Sequence, residues 1–197
     1  MRKKCPFCYI ETQGNRLLFE TKSFYILCDM GPLVEGHLLI IPKQHLMCFG
    51  QLAEQKYDEL EDLLKDIEDF LTTSYKKPLI LFENGGVSQT VSHAHFHIFP
   101  STISIKKELK KELGGRKLLK TSKIRKIRDF YKEFGCYLFY QEKATGLIFE
   151  GAGVASGFLR RKCAQALGVA ETSIERVEFG NPFAKKVKGK WKSWRKL

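Results

Sequence analysis

The chain has 197 residues, ordinary apolar content and a formal charge of +12. Apolar runs stay well short of the ~18 residues of a membrane span. The basic start leads into a cysteine pair instead of an apolar stretch, which speaks against a secretory signal and makes the cytoplasm the expected location. Charge is unevenly placed: residues 1–100 carry 10 Lys and Arg against 13 Asp and Glu, a net −3, and residues 101–197 carry 24 against 9, a net +15. That split suggests two units, residues 1–103 and a basic region 104–197. The second either meets a polyanion such as nucleic acid or is simply a solvated surface.

In chain order, Cys5-Pro6-Phe7-Cys8 comes first. In a reducing compartment a close pair of this kind suggests a metal site, whereas Cys28, Cys48, Cys136 and Cys163 suit core positions. Residues 24–27 (Phe-Tyr-Ile-Leu) predict a strand, broken by Asp29-Met30-Gly31-Pro32; residues 37–42 predict a second, ended by Pro42. Between 52 and 71 the apolar positions step by three and four, with acids between them, which predicts one long amphipathic helix. Residues 78–82 predict a third strand, Asn84-Gly85-Gly86 a turn, and residues 93–99 a fourth strand closed by Pro100. Residues 105–132 read as partly helical, interrupted at Gly114-Gly115; residues 136–140 and 146–149 read as strands and 157–167 as a short helix. The tail from residue 185 mixes seven Lys and Arg with Trp191 and Trp194, which either stack on bases or dock the tail on the body. The fold class is therefore α+β: an antiparallel sheet crossed by a long helix, followed by a smaller basic α+β region.

The five histidines are His37, His45, His93, His95 and His97. The last three alternate with Ala94, Phe96 and Ile98, so strand geometry puts the rings on one face and the apolar residues on a core face. A row of three imidazoles gains little from burial alone. Two chemistries use one: metal ligation, and nucleophilic with acid–base catalysis at phosphorus. The Gly-rich, hydroxyl-rich residues 85–91, just upstream, suit phosphate oxygens.

His93-Ala94-His95-Phe96-His97-Ile98-Phe99 resembles the signature of the histidine-triad (HIT) family. Gln89-Thr90-Val91-Ser92 is similar to its Gln-x-Val-x lead-in, and residues 36–45 to its Gly-His-x-(apolar)3-Pro-Lys-x-His segment. The resemblance implies a HIT-like fold for residues 1–103 and a nucleotide hydrolase or nucleotidyl transferase working through a nucleotidyl-histidine. It casts His95 as nucleophile and His97 as its partner at the phosphate. Ser88, Gln89 and Thr90 become phosphate or leaving-group contacts, Asp29 the holder of the ribose hydroxyls, and His37 a pocket residue. It further implies a structural Zn²⁺ on Cys5, Cys8, His45 and His93, and a homodimer. Glu83 departs from the branches that carry an amide there; an acid facing the phosphates would repel them. Residues 137–140, 146–149 and 158–161 weakly resemble the C-terminal part of CwfJ-like HIT relatives. Two competing readings are a nucleic-acid-binding or end-processing protein that uses residues 104–197, and a metal-dependent hydrolase with the histidines as ligands.

Overall fold

The computed structural model describes residues 5–86, 89–169 and 182–196. Eight antiparallel strands form one sheet in the order β1-β2-β3-β5-β4-β7-β8-β6. The strands are β1 (Leu17–Glu20), β2 (Phe24–Cys28), β3 (Leu38–Pro42), β4 (Leu79–Gly85), β5 (Phe96–Pro100), β6 (Leu118–Thr121), β7 (Tyr137–Glu142) and β8 (Thr145–Glu150). Among the described residues five α-helices accompany them: α1 (Tyr57–Tyr75), α2 (Lys106–Glu112), α3 (Lys126–Phe134), α4 (Phe158–Leu167) and α5 (Pro182–Trp194). The α+β class stands. No described helix is long and apolar enough to cross a membrane.

The sheet runs across the compositional boundary. β4, from the acidic half, pairs along six residues with β7 from the basic half, from Ile80↔Glu142 to Gly85↔Tyr137. The second edge of β4 is thus filled by the chain's own later strand, and the sheet ends at β1 and β6. Opposite charges interlock over the same boundary. Arg125, just before α3, forks onto Glu61 at 2.9 Å and reaches Asp58 at 2.7 Å on α1, and Arg128 of α3 binds Glu54. Part of the +15 therefore faces acids of the first half.

Alternation divides the sheet into two faces. On one, Ala94, Phe96 and Ile98 join Ile26, Ile40, Leu81 and Phe139 beneath α1, α3 and α5. On the other, two smaller clusters flank the histidines. Phe7 covers Leu27, Leu39 and Ile41 at the β2–β3 side. Leu109, Leu113, Leu159 and Cys163, from α2, α4 and their flanks, cover Ile80, Phe82, Leu138 and Phe149 at the β4–β7–β8 side. Trp191 of α5 stacks on Phe19 at 4.3 Å between ring centres, nearly parallel, and both tryptophans meet Phe70 edge-on. The tail's aromatics dock it on the body.

Several boundaries differ from expectation for reasons of hydrogen bonding. Residues 49–56 form two short 3-10 turns before α1 instead of its first turns. Their backbone groups are captured from outside: Phe49 N–H donates to Glu83, Gly50 N–H to the Tyr137 hydroxyl, and Tyr57 O–H to the Phe49 carbonyl. β5 begins at Phe96 and not at residue 93, because Ala94 N–H is bound to the Leu46 carbonyl and His93 N–H to that of Val91. Asn84 and Gly85 still belong to β4, and the chain turns only at Gly86, with φ +98°. Gly85 is required by contact: a Cβ there would lie 2.3 Å from the Tyr137 ring. β1 escaped the sequence because its half-buried edge pattern lacks alternation.

Glu83 is wholly buried on the helix face and accepts hydrogen bonds from Phe49 N–H and Tyr137 O–H. Burial pushes its carboxyl up to about 8, against the opposing effect of those two donors. The folded protein holds a proton there that the unfolded chain releases above its ordinary value of 4.5. The stability this proton supplies is complete below that value and is lost as pH rises through about 8. Glu83→Gln keeps the shape and cannot titrate. Urea unfolding between about pH 5 and about pH 8 is expected to show a declining stability in the wild type that flattens in the variant.

Candidate functional site

The site begins with β5 between β3 and β4. His97 pairs with Leu39 on one side and Phe82 on the other, and its ring stacks on Phe82 with centres 4.5 Å apart. His95 and His93 precede the strand on the same side, and all three rings are buried. Glu83, one residue on from Phe82, points through the sheet to the opposite face, so it does not confront the histidines.

Local hydrogen bonds fix which nitrogen of each ring carries hydrogen. Leu33 N–H donates to His37 Nδ1 at 3.1 Å, so a neutral His37 carries its hydrogen on Nε2. His37 Nε2 lies 2.9 Å from His97 Nδ1 and donates to it, which leaves the hydrogen of His97 on Nε2. Asp29 Oδ2 also lies 3.4 Å from His97 Nδ1; the nearer His37 takes that nitrogen while both rings are neutral. Burial pushes both rings toward neutrality, against the opposing pull of Asp29. His95 Nδ1–H donates to the His93 carbonyl at 2.7 Å, which leaves the Nε2 lone pair uncommitted. Burial and neighbouring His97 push His95 down to about 3, so this ring is neutral at pH 7.

Asp29 follows β2 and is buried. Burial would raise its carboxyl, but His37, His97 and Arg160 outweigh that and hold it well below the usual carboxylate range. With both rings neutral, Arg160 is the full positive charge among those three. It comes from α4, whose first turn is held at the sheet by Leu159 N–H donating to Asn84 Oδ1 at 3.3 Å. The sequence shows Arg160-Arg161-Lys162 as a basic run, yet nothing in its spacing to Asp29 marks Arg160 as a site residue. Arg16 was missed too; its Nε and Nη2 are buried without a hydrogen-bond partner.

Gln89 is half-buried, and its amide Oε1 and Nε2 are likewise buried without partners, the state of a group that awaits water or ligand. Thr90 is exposed. Ser88 lies outside the described residues.

Cys5, Cys8, His45 and His93 converge from three segments, with donor atoms all within 4.8 Å of one another. Cys5 Sγ is 3.3 Å and Cys8 Sγ 3.6 Å from His93 Nδ1, and Cys8 Sγ is 3.1 Å from His45 Nδ1. His93 Nε2–H donates to the Pro42 carbonyl at 2.8 Å, which turns Nδ1 toward the sulfurs. Two thiols and two imidazole nitrogens at such separations suit a tetrahedral ion of the zinc type, with no position left over. Asp29, His37 and His97 also cluster, but Arg160 stands at their carboxylate and opposes a cation there. A surface cleft of about 380 Å³ between α1 and the β4–β7 ends lies on the other face and is lined by no histidine or cysteine.

The HIT-domain family profile matches residues 11–103. An uncharacterised HIT-like protein of Methanocaldococcus jannaschii is 31% identical over 104 residues, covering 49% of this chain and 78% of that protein. The adenosine 5′-monophosphoramidase of Saccharomyces cerevisiae is 32% identical over 100 residues, 49% of this chain and 61% of that enzyme; that of Schizosaccharomyces pombe is 31% identical over 100 residues, covering 73% of its length. A hypothetical histidine triad nucleotide-binding protein of Sulfolobus tokodaii aligns in structure over 65% of this chain and 94% of that one, at 26% identity and a TM-score of 0.45. The chain belongs to the HIT family. The family match ends at residue 103 and does not extend to the segments that resemble CwfJ-like proteins.

The tautomer argument is open to direct measurement. Imidazole ¹⁵N–¹H correlation spectra at neutral pH should show His97 with hydrogen on Nε2 alone. His37→Phe keeps a ring beside Phe99 and removes both of its hydrogen bonds. It is expected to move the hydrogen of His97 toward Nδ1, where Asp29 Oδ2 accepts it, and to cost about 1–3 kcal/mol for the orphaned Leu33 N–H.

Proposed function

We propose that this chain is a nucleotide hydrolase or nucleotidyl transferase that cleaves a bond to the phosphorus of a nucleoside monophosphate group, with His95 as nucleophile. The observation that carries the reading is the hydrogen bond from His95 Nδ1 to the His93 carbonyl, which reserves the Nε2 lone pair of a neutral ring for attack. Bond formation from Nε2 to phosphorus expels the leaving group, which takes its proton from solvent; the neutral His97 keeps its Nε2 hydrogen and donates a hydrogen bond from it. Water then attacks the nucleotidyl-imidazolium, gives up a proton to solvent and frees both His95 and the nucleoside monophosphate; in a transferase a second acceptor replaces water. His97 meets the charge that develops on the phosphate or leaving group. The unpartnered amide of Gln89 supports a role as phosphate contact; the family resemblance adds Thr90 and Ser88 to that role. The phosphoramidase names of the two yeast relatives make a phosphorus–nitrogen bond the first one to test.

The test is His95→Asn, which keeps a polar side chain without the attacking nitrogen. With adenosine 5′-monophosphoramidate, turnover is expected to fall by about 10³-fold or more. Mass spectrometry of the wild-type chain quenched during turnover should show His95 carrying the nucleotidyl group. Undiminished turnover in the variant would exclude the assignment.

Zn²⁺ on Cys5, Cys8, His45 and His93 is part of the proposal. Four protein ligands give it a structural role: it would tie the N-terminal segment to His93 and so fix the backbone carbonyl that holds His95. Metal analysis should find about one zinc per chain, and Cys8→Ser or chelation should lower the melting temperature by about 5 °C or more. Full thermal stability after complete metal removal would rule this role out.

A further inference from the structure

Asp29 is the site residue whose partners come from both halves of the chain. Its Oδ1 accepts from Gly31 N–H at 2.8 Å. Its Oδ2 faces Arg160 Nη1 at 3.3 Å, His97 Nδ1 at 3.4 Å and His37 Nε2 at 3.7 Å. Arg160 Nη2 donates to the Gly31 carbonyl as well, so one guanidinium grips the turn at both Asp29 and Gly31. Asp29 is left only 5% exposed.

A sugar diol is held by a carboxylate because its hydroxyls donate into open oxygen lone pairs. A carboxylate has about four such positions. Here Oδ1 is engaged by a backbone donor, Oδ2 faces a guanidinium that donates and cannot accept, and burial of the residue shields the remaining positions from a hydroxyl. The cover is anchored. Leu159, Cys163 and Ala164 of α4 are buried in the cluster beneath it, and Leu159 N–H is fixed to Asn84. Arg161 and Lys162 bind the Ser156 carbonyl and Glu112, so of the three consecutive basic residues Arg160 is the one that reaches Asp29. Moving it away would break two hydrogen bonds, one of them between opposite charges.

We propose that Arg160 is a specificity-determining residue: it closes the Asp29 acceptor, so that the chain binds nucleotides with little regard for the hydroxyls of the sugar. The inference rests on the nucleotide reading given above and adds to it the substrate class, in which ribo- and deoxyribonucleotides are nearly equivalent. It also gives the second half of the chain a part in the triad site. α4 lies beyond residues 11–103, which the HIT-domain profile matches.

Titration calorimetry on the full chain tests it, with adenosine 5′-monophosphate and its 2′,3′-dideoxy counterpart as probes. The wild type is expected to bind the two within about threefold, and Asp29→Asn to leave that ratio unchanged. Arg160→Met keeps the stem and removes the donors; it should raise the preference for the ribonucleotide to about tenfold or more, since hydroxyls then find an open acceptor. Adding Asp29→Asn to Arg160→Met should return the ratio to the wild-type value. A wild type that favours the ribonucleotide by about tenfold and loses this in Asp29→Asn would overturn the proposal. So would a folded Arg160→Met with an unchanged ratio. If Arg160→Met does not fold, the wild-type and Asp29→Asn ratios decide alone. Failure of both nucleotides to bind the wild type would remove the nucleotide reading itself, and the proposal with it.

Discussion

The structure depends on the pairing of β5 between β3 and β4. That register places His97 opposite Leu39 and Phe82, and alternation then assigns every neighbouring residue to a face. Ala94, Phe96 and Ile98 enter the core under α1, and the imidazoles take the other side. A slip of one residue would bury the rings in the main core and expose the aromatics. The same register sends Glu83 away from the histidines, so an acid that looks hostile to phosphate in the sequence instead binds Phe49 N–H and Tyr137 O–H in the core. The carboxyl group of β4 and the chemistry of β5 are separated by the thickness of one sheet.

From that centre the basic half reads as a continuation of the fold. β7 completes the hydrogen bonding of β4, and α4 lies over β4 on the histidine face. The two small apolar clusters on that face flank the buried rings, one from the N-terminal segment and one from α4. Acids of the first half draw cations of the second: Glu61 and Asp58 take Arg125, Glu35 faces Lys190 at 3.3 Å, and Asp29 takes Arg160. The exposed pairs contribute little stability singly. The pair at Asp29 matters differently, because its carboxylate is buried and is costly to leave without its cation.

How much of this was legible follows from what each feature depends on. Period-2 and period-3.6 patterns are local, so the main strands and α1 could be read from apolar spacing, and the faces of residues 93–98 from alternation. The four ligand-type residues Cys5, Cys8, His45 and His93 were suggested by residue type and resemblance, and the fold brings them together. Boundaries failed where tertiary partners captured backbone groups, as Glu83 and Tyr137 do at Phe49 and Gly50. The pairing of β4 with β7 joins residues more than fifty positions apart and leaves no local trace. Arg160 was hidden for the same reason: its meaning is a contact with Asp29, 131 positions away.

The polarity of the site is set by the backbone more than by the rings themselves. Leu33 N–H can only donate, which makes His37 accept at Nδ1 and donate at Nε2; His97 must then accept at Nδ1 and present N–H at Nε2. The His93 carbonyl can only accept, which makes His95 donate at Nδ1 and present a lone pair at Nε2. Two identical side chains, His97 on β5 and His95 just before it, thus acquire opposite roles in hydrogen bonding, one with an N–H to donate and one with an electron pair. Neither assignment needs a charged ring, which suits a site where burial disfavours imidazolium. Peptide groups cannot titrate, so the division persists while the backbone around residues 33 and 93 holds. The convergence of Cys5, Cys8 and His45 on His93 therefore bears on the proposed nucleophile through the position of one carbonyl oxygen.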